Sequence, residues 1–109
     1  MLWAPWCAPC RQELRDYATF DRVSAPVPVW VIALDTARDQ LPLLGGIPKD
    51  RVRVIGGSSV ANLARWSPET SVLPLTIGID ETGRQCASHA ARLDVQALSR
   101  LIKACKFKR

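Results

Sequence analysis

The stretch Trp6-Cys7-Ala8-Pro9-Cys10 has the residue types and the spacing for thiol chemistry. Disulfide exchange needs one thiolate that attacks and a second thiol that resolves the mixed disulfide. Two residues between cysteines at a helix start bring both sulfurs within bonding reach. The first cysteine then lies where unpaired N–H groups and the helix dipole favour negative charge. That setting lowers a thiol's pKa. Cys7 is therefore the expected nucleophile and Cys10 the resolving thiol. Pro9 suits the first turn, because it has no N–H to lose and its φ is already helical. Trp6 offers a flat apolar rim on which a substrate chain can rest. The competing reading is part of a structural zinc site, which needs four ligands, commonly two such pairs. A second pair is absent: Cys86 and Cys105 are 19 positions apart and His89 is the lone histidine. Spacing thus favours redox chemistry over metal binding, and no bound cofactor is implied.

Cys86 and Cys105 raise a separate question. About five strand residues at ~3.3 Å carry the chain ~16 Å beyond Cys86. A helix from Asp94 to Cys105 brings it back ~16 Å. If that helix packs antiparallel to the strand, the two cysteines come level and can bond. The alternative is two separate small apolar residues, one of them on the helix's buried stripe. The sequence leaves both open and leans to the second. His89 reads as a surface residue near a strand end. Trp3, Trp30 and Trp66 read as core or rim packing rather than ligand stackers. The glycine pairs in "GGIPKD" and "IGGSS" lack the spacing and the Lys-Ser/Thr of a phosphate loop.

The elements that must position these residues follow from pattern. The chain has 109 residues, 48% apolar and 23% charged, an ordinary globular balance for one domain. Its net charge of +5 gathers partly at Lys103, Lys106, Lys108 and Arg109. Cations at a helix C-terminus account for that cluster without nucleic acid, and no aromatic residues are interleaved with it as in single-strand binders. Met1–Ala4 reads as the tail of a strand that Pro5 ends. Cys10, Leu14, Tyr17 and Ala18 then share a helix face at steps of three and four, which predicts a helix to about Phe20. Val27–Asp35 is a nearly unbroken apolar run, the habit of a parallel strand buried on both faces. Residues 36–44 form a weak helix, and "RVRVIGG" a short strand. Ser58 or Ser59 caps a helix carrying Val60, Leu63, Ala64 and Trp66. Leu73–Asp80 is a second apolar strand, "DETG" a turn, and "RQCASHA" the returning arm of a hairpin. Asp94 caps a last helix with Val95, Leu98, Leu101, Ile102 and Cys105 on one face. The expected architecture is α/β, with helices on both faces of a mostly parallel sheet that ends in an antiparallel hairpin.

These residues carry a resemblance. "LWAPWCAPCRQEL" resembles the active-site segment of thioredoxin-like proteins, and within them it is most similar to the TlpA/ResA/DsbE-like thiol–disulfide oxidoreductases. "VWVIALD" is similar to the strand after helix 1, "VLPLTIGIDETGR" to the segment with a cis-proline and the following hairpin, and "SHAARLDVQALSRLI" to the last strand and helix. The resemblance covers nearly all of residues 1–109. It implies a thioredoxin-like three-layer fold with a mixed sheet, and the catalytic pair Cys7 and Cys10. It also implies a cis bond at Pro74, substrate contacts from Trp6, Ala8, Pro9, Leu73 and Pro74, and pairing of an extended substrate with the Leu73 backbone. Its partners would be protein thiols and disulfides and a redox partner protein, and its place the periplasm or a membrane tether, although this chain shows no export signal. Ala8-Pro9 is similar to the pair in reducing members. Arg15 stands where the family pattern has proline, so a straighter helix is expected. Glu13 is the nearest acidic residue to the dithiol and reads as solvated helix surface.

Only "MLWA" stands for the family's central strand, so the domain reads as N-terminally incomplete, lacking most of the strand before the dithiol. Unpaired ladder groups would follow. A fragment, a homodimer that completes the strand between copies, and a weakened monomer are the three outcomes, the first being preferred. The rival to an oxidoreductase is a non-catalytic peptide-binding module or inactive fragment; a metal chaperone stands third.

Overall fold

The computed structural model describes residues 1–34, 42, 44–55, 65 and 72–107. In chain order they form β1 (Leu2–Trp3), α1 (Ala8–Arg15), α2 (Tyr17–Ser24), β2 (Val31–Leu34), a single 3₁₀ turn (Lys49–Arg51), β3 (Val52–Ile55), β4 (Thr76–Ile79), β5 (Gln85–His89) and α3 (Val95–Cys105). The result is a mixed α/β structure with a small parallel sheet and an antiparallel pair. β1 pairs in parallel with β2, Leu2 opposite Ile32, and β2 in parallel with β3, Val31 opposite Val52. β4 and β5 form the antiparallel pair. One antiparallel bridge links the two sheets: Leu2 N–H donates to the Leu75 carbonyl at 2.8 Å. Through it, β1 stands between β2 and β4.

Side chains alternate across these strands, so each strand feeds two cores. Trp3, Val31 and Ala33 pack with Phe20, Leu98 and Leu101. Leu2 and Leu34 pack with Leu75, flanked by Ile32, Ile55 and Ile77. α2 and α3 lie against each other, and α3 also covers β4 and β5. All of the helix expected over 58–66 but Arg65, Trp66 included, and nearly all of the weak helix over 36–44 lie outside the described residues.

Several boundaries differ from expectation, each for a local reason. The first helix does not run unbroken to Phe20. It turns at Asp16 (φ −99°, ψ 7°), whose N–H bonds back three residues to Glu13 at 3.0 Å, and α2 restarts with Phe20 N–H on the Asp16 carbonyl. The two halves bury different anchors, Cys10 and Glu13 in α1, then Tyr17, Phe20 and Ser24 in α2, while Ala18 is exposed. Tyr17 fixes the second half, its hydroxyl donating to the Val29 carbonyl at 2.7 Å. The helix is therefore bent despite Arg15, and the inward face is rotated from the one predicted. β2 begins at Val31 rather than Val27, and Val29 N–H is held by the Asp21 carboxylate at 3.3 Å instead of entering a ladder; Asp35 lies outside the described residues. β4 begins at Thr76 rather than Leu73, since Leu75 is taken up by the bridge to Leu2; the Leu73–Pro74 bond is cis, as the resemblance implied. Val95 is exposed, and Ala97 takes the inward position beside Leu98.

The hairpin and last helix are fixed by three devices. Asp80 accepts from Thr82 N–H (2.9 Å), Thr82 hydroxyl (2.6 Å) and Arg84 N–H (3.1 Å), while Gly83 takes the left-handed φ of +83° that the turn requires. Asp94 caps α3 by accepting from Ala97 N–H at 2.7 Å. Cys86 and Cys105 are joined by a disulfide, with Cα atoms 5.1 Å apart. The equal ~16 Å excursions of strand and helix do bring the two residues level. The bridge lies on Gly78 of β4, where a Cβ would overlap the Cys105 sulfur.

Candidate functional site

Cys7 ends the segment that leaves β1. Its backbone is extended (φ −94°, ψ 100°), and its N–H donates to the Ala4 carbonyl at 3.1 Å, closing a turn around Pro5. Its own carbonyl accepts the first helical bond, from Arg11 N–H at 3.1 Å. Cys7 is thus the N-cap of α1. Its sulfur accepts from Cys10 N–H at 3.3 Å, where a Ser or Asp oxygen commonly sits. Pro9 falls in the first turn, where no intrahelical N–H is needed. One helical turn separates Cys7 from Cys10, and their sulfurs are bonded, with Cα atoms 5.2 Å apart. The structure therefore holds the oxidised pair.

Access to this disulfide is one-sided. Cys10 is 0% exposed and Cys7 5%, whereas Trp6 beside them is 60% exposed, and Ala8 and Pro9 face solvent. The Leu2–Leu75 bridge sets the register of the neighbouring segment. Counting on from it, Pro74 and Leu73 lie alongside Trp3 and Ala4, at the same end of the sheet as the dithiol. Pro74 is buried, Leu73 half-buried, and Val72 exposed. The fold thus brings Trp6, Ala8, Pro9, Leu73 and Pro74 to the end of β1 from which α1 departs. His89 is far along β5, half-buried, with Nε2 3.2 Å from the Arg92 carbonyl. Trp3 is fully buried and Trp30 half-buried, its ring under the Arg53 guanidinium at 4.7 Å.

Glu13 is where the structure overturns the sequence reading. It is not solvated: it is 1% exposed. It follows Cys10 by three positions and shares its inward face, so the helix carries the carboxylate into the core. The Leu93 N–H, from the loop before α3, donates to Oε2, while Oε1 is buried without a hydrogen-bond partner. Burial pushes its pKa up, against the Leu93 hydrogen bond, the Met1 ammonium and the Arg92 guanidinium, which pull it down. Spacing held a partial signal: position i+3 from a buried residue is itself an inward position.

This burial has a pH consequence. A carboxyl whose folded pKa is raised binds its proton more tightly in the folded state than in the unfolded chain. Its stabilising effect is then complete below the ordinary glutamate value and is lost as pH rises through the raised one. Glu13→Gln keeps an acceptor for Leu93 N–H and cannot ionise. Relative to this variant, the wild-type chain is expected to lose stability progressively as pH rises above the ordinary glutamate range. Urea melts over a pH series check it. Parallel stability profiles for the two chains would contradict it.

Comparison with protein-family models, with curated proteins and with solved structures gives no match to this chain.

Proposed function

We propose that this chain is a thiol–disulfide oxidoreductase of thioredoxin-like architecture that reduces disulfides in protein substrates. The observation that carries this reading is the bonded Cys7–Cys10 pair with Cys7 as the N-cap of α1. In the reduced form, the Cys7 sulfur sits at the free N–H groups and positive end of the helix, which favours its thiolate. The thiolate attacks one sulfur of a substrate disulfide; that S–S bond breaks and one substrate thiolate leaves. Cys10, deprotonated in turn, attacks the Cys7 sulfur of the mixed disulfide. The second substrate thiolate leaves, and the Cys7–Cys10 bond forms. Two electrons have passed to the substrate, and the two thiolates take protons from solvent. A reducing partner protein returns the dithiol.

Glu13 has a role in the second step. Cys10 is fully buried, and burial disfavours its thiolate. Neighbours three apart on a helix have Cβ atoms about 5–6 Å apart. The unpartnered Oε1 of Glu13 can accept the Cys10 proton there, and a raised pKa suits the task. Trp6, Ala8 and Pro9 provide the exposed rim for the substrate, and the Leu73 backbone beside Pro74 the edge along which an extended segment pairs. The Cys86–Cys105 bridge supports an oxidising compartment, the periplasm or its membrane face, because disulfides persist there and are rare in the cytosol. No helix among the described residues is long and apolar enough to cross a membrane.

Insulin reduction tests the function. In the presence of dithiothreitol, the chain is expected to hasten precipitation of the insulin B chain. A rate no greater than dithiothreitol alone overturns the assignment.

A further inference from the structure

One peptide group is bonded at both ends by side chains. The Arg92–Leu93 peptide lies in the loop between β5 and α3. Its N–H donates to Oε2 of Glu13, and its carbonyl lies 3.2 Å from Nε2 of His89. A carbonyl oxygen can only accept, so Nε2 carries a proton in this contact. His89 ends β5 opposite Thr76, which is buried. Cross-strand partners project from the same face, so the half-buried ring leaves the hairpin on its inward side. From there it reaches the Arg92 carbonyl three positions on.

Other groups in this loop are committed elsewhere. The Leu93 side chain is in the core, and the Asp94 carboxylate is taken by Ala97 N–H at the start of α3. The Arg92 guanidinium lies 3.9 Å from the Asp16 carboxylate, an exposed pair of little worth in water. Among the described residues, His89 is the side chain that bonds this peptide on the side opposite Glu13. A peptide whose carbonyl accepts a hydrogen bond is polarised, and its N–H becomes the better donor. A better donor favours the carboxylate form of Glu13 and fixes which oxygen is used. Oε2 is taken; Oε1, buried without a partner, is left for the Cys10 proton.

We infer that His89 is a positioning residue, which orients Glu13 for the resolving step through the Arg92–Leu93 peptide. This rests on the oxidoreductase reading and on the part of Glu13 in it. The Met1 ammonium and the Arg92 guanidinium also attract the Glu13 carboxylate, and both are retained in the variants that follow.

Two measurements on His89→Ala and His89→Gln test it. Glutamine supplies a neutral N–H donor of similar reach. First, the chain reduced at Cys7 and Cys10 is mixed with dithiobis(nitrobenzoate). Attack by Cys7 breaks that disulfide, releases one thionitrobenzoate and leaves the other bonded to Cys7. Cys10 then displaces the second, and the Cys7–Cys10 bond forms. His89→Ala is expected to slow the second release by about tenfold and leave the first unchanged. His89→Gln should restore the second. Next, the Glu13 carboxyl carbon is followed by NMR across pH in the reduced chain, its signal identified by its loss in Glu13→Gln. Its midpoint is expected to move up in His89→Ala, where the donor is weaker, and to return in His89→Gln. A wild-type chain that never releases the second thionitrobenzoate overturns the oxidoreductase reading, and the inference with it. A wild type that does release it, with an unchanged second release or an unmoved midpoint in His89→Ala, overturns the inference alone. So does equal impairment of both variants, since the N–H would then not be what matters.

Discussion

Cys7→Ser is expected to reduce insulin-disulfide turnover to the background rate, and Cys10→Ser to stop it one step later. The distinction follows from position. Cys7 caps α1 and stands beside the exposed Trp6, whereas Cys10 is wholly enclosed in the core with its sulfur bonded to that of Cys7. Without Cys7 no mixed disulfide forms. Without Cys10 the first attack still occurs, but nothing resolves its product, so the substrate stays bound as a species that a thiol reductant releases. Non-reducing electrophoresis and intact mass of the two variants after mixing with an oxidised substrate check this. Equal turnover by Cys7→Ser and wild type would remove the proposed nucleophile. Trapping by Cys7→Ser but not by Cys10→Ser would reverse the roles.

The second large effect is on stability. Reducing the Cys86–Cys105 bridge, or replacing both residues by Ala, is expected to cost about 3 kcal/mol, the loop-closure value for a separation of 19 residues. For a chain of this length that is a fall in Tm on the order of 10–20 °C. The bridge ties α3 to β5, and α3 covers the hairpin and closes the core around Leu98, Leu101 and Ile102. Gly78→Ala should destabilise the chain through the same bridge, because its methyl group would overlap the Cys105 sulfur. Combining it with Cys105→Ala, which removes that sulfur, should add less than the sum of the two single effects. Strict additivity in thermal melts would show that Gly78 and the bridge are uncoupled.

What could be read from the sequence was what depends on local pattern. The dithiol at a helix start, the strands around Val31–Leu34 and Thr76–Ile79, the Asp80–Gly83 turn and the Asp94 cap all follow from spacing and residue chemistry over a few positions. What eluded it depends on distant partners. Glu13 is buried because Leu93, 80 residues away, offers its N–H. The first helix bends because Tyr17 reaches the Val29 carbonyl. The Cys86–Cys105 bond was an open alternative, because equal lengths of strand and helix permit contact without requiring it. The cis bond at Pro74 had no local signal at all; only the family resemblance implied it.

The central claim is that α1 makes Cys7 a nucleophile. The pH dependence of iodoacetamide alkylation at Cys7 in the reduced chain, read by mass spectrometry, tests it directly. The account predicts a midpoint below about 7.5, as for thiols at helix N-termini. A midpoint near the ordinary ~8.5 would contradict it and favour a module that binds peptides without exchanging thiols.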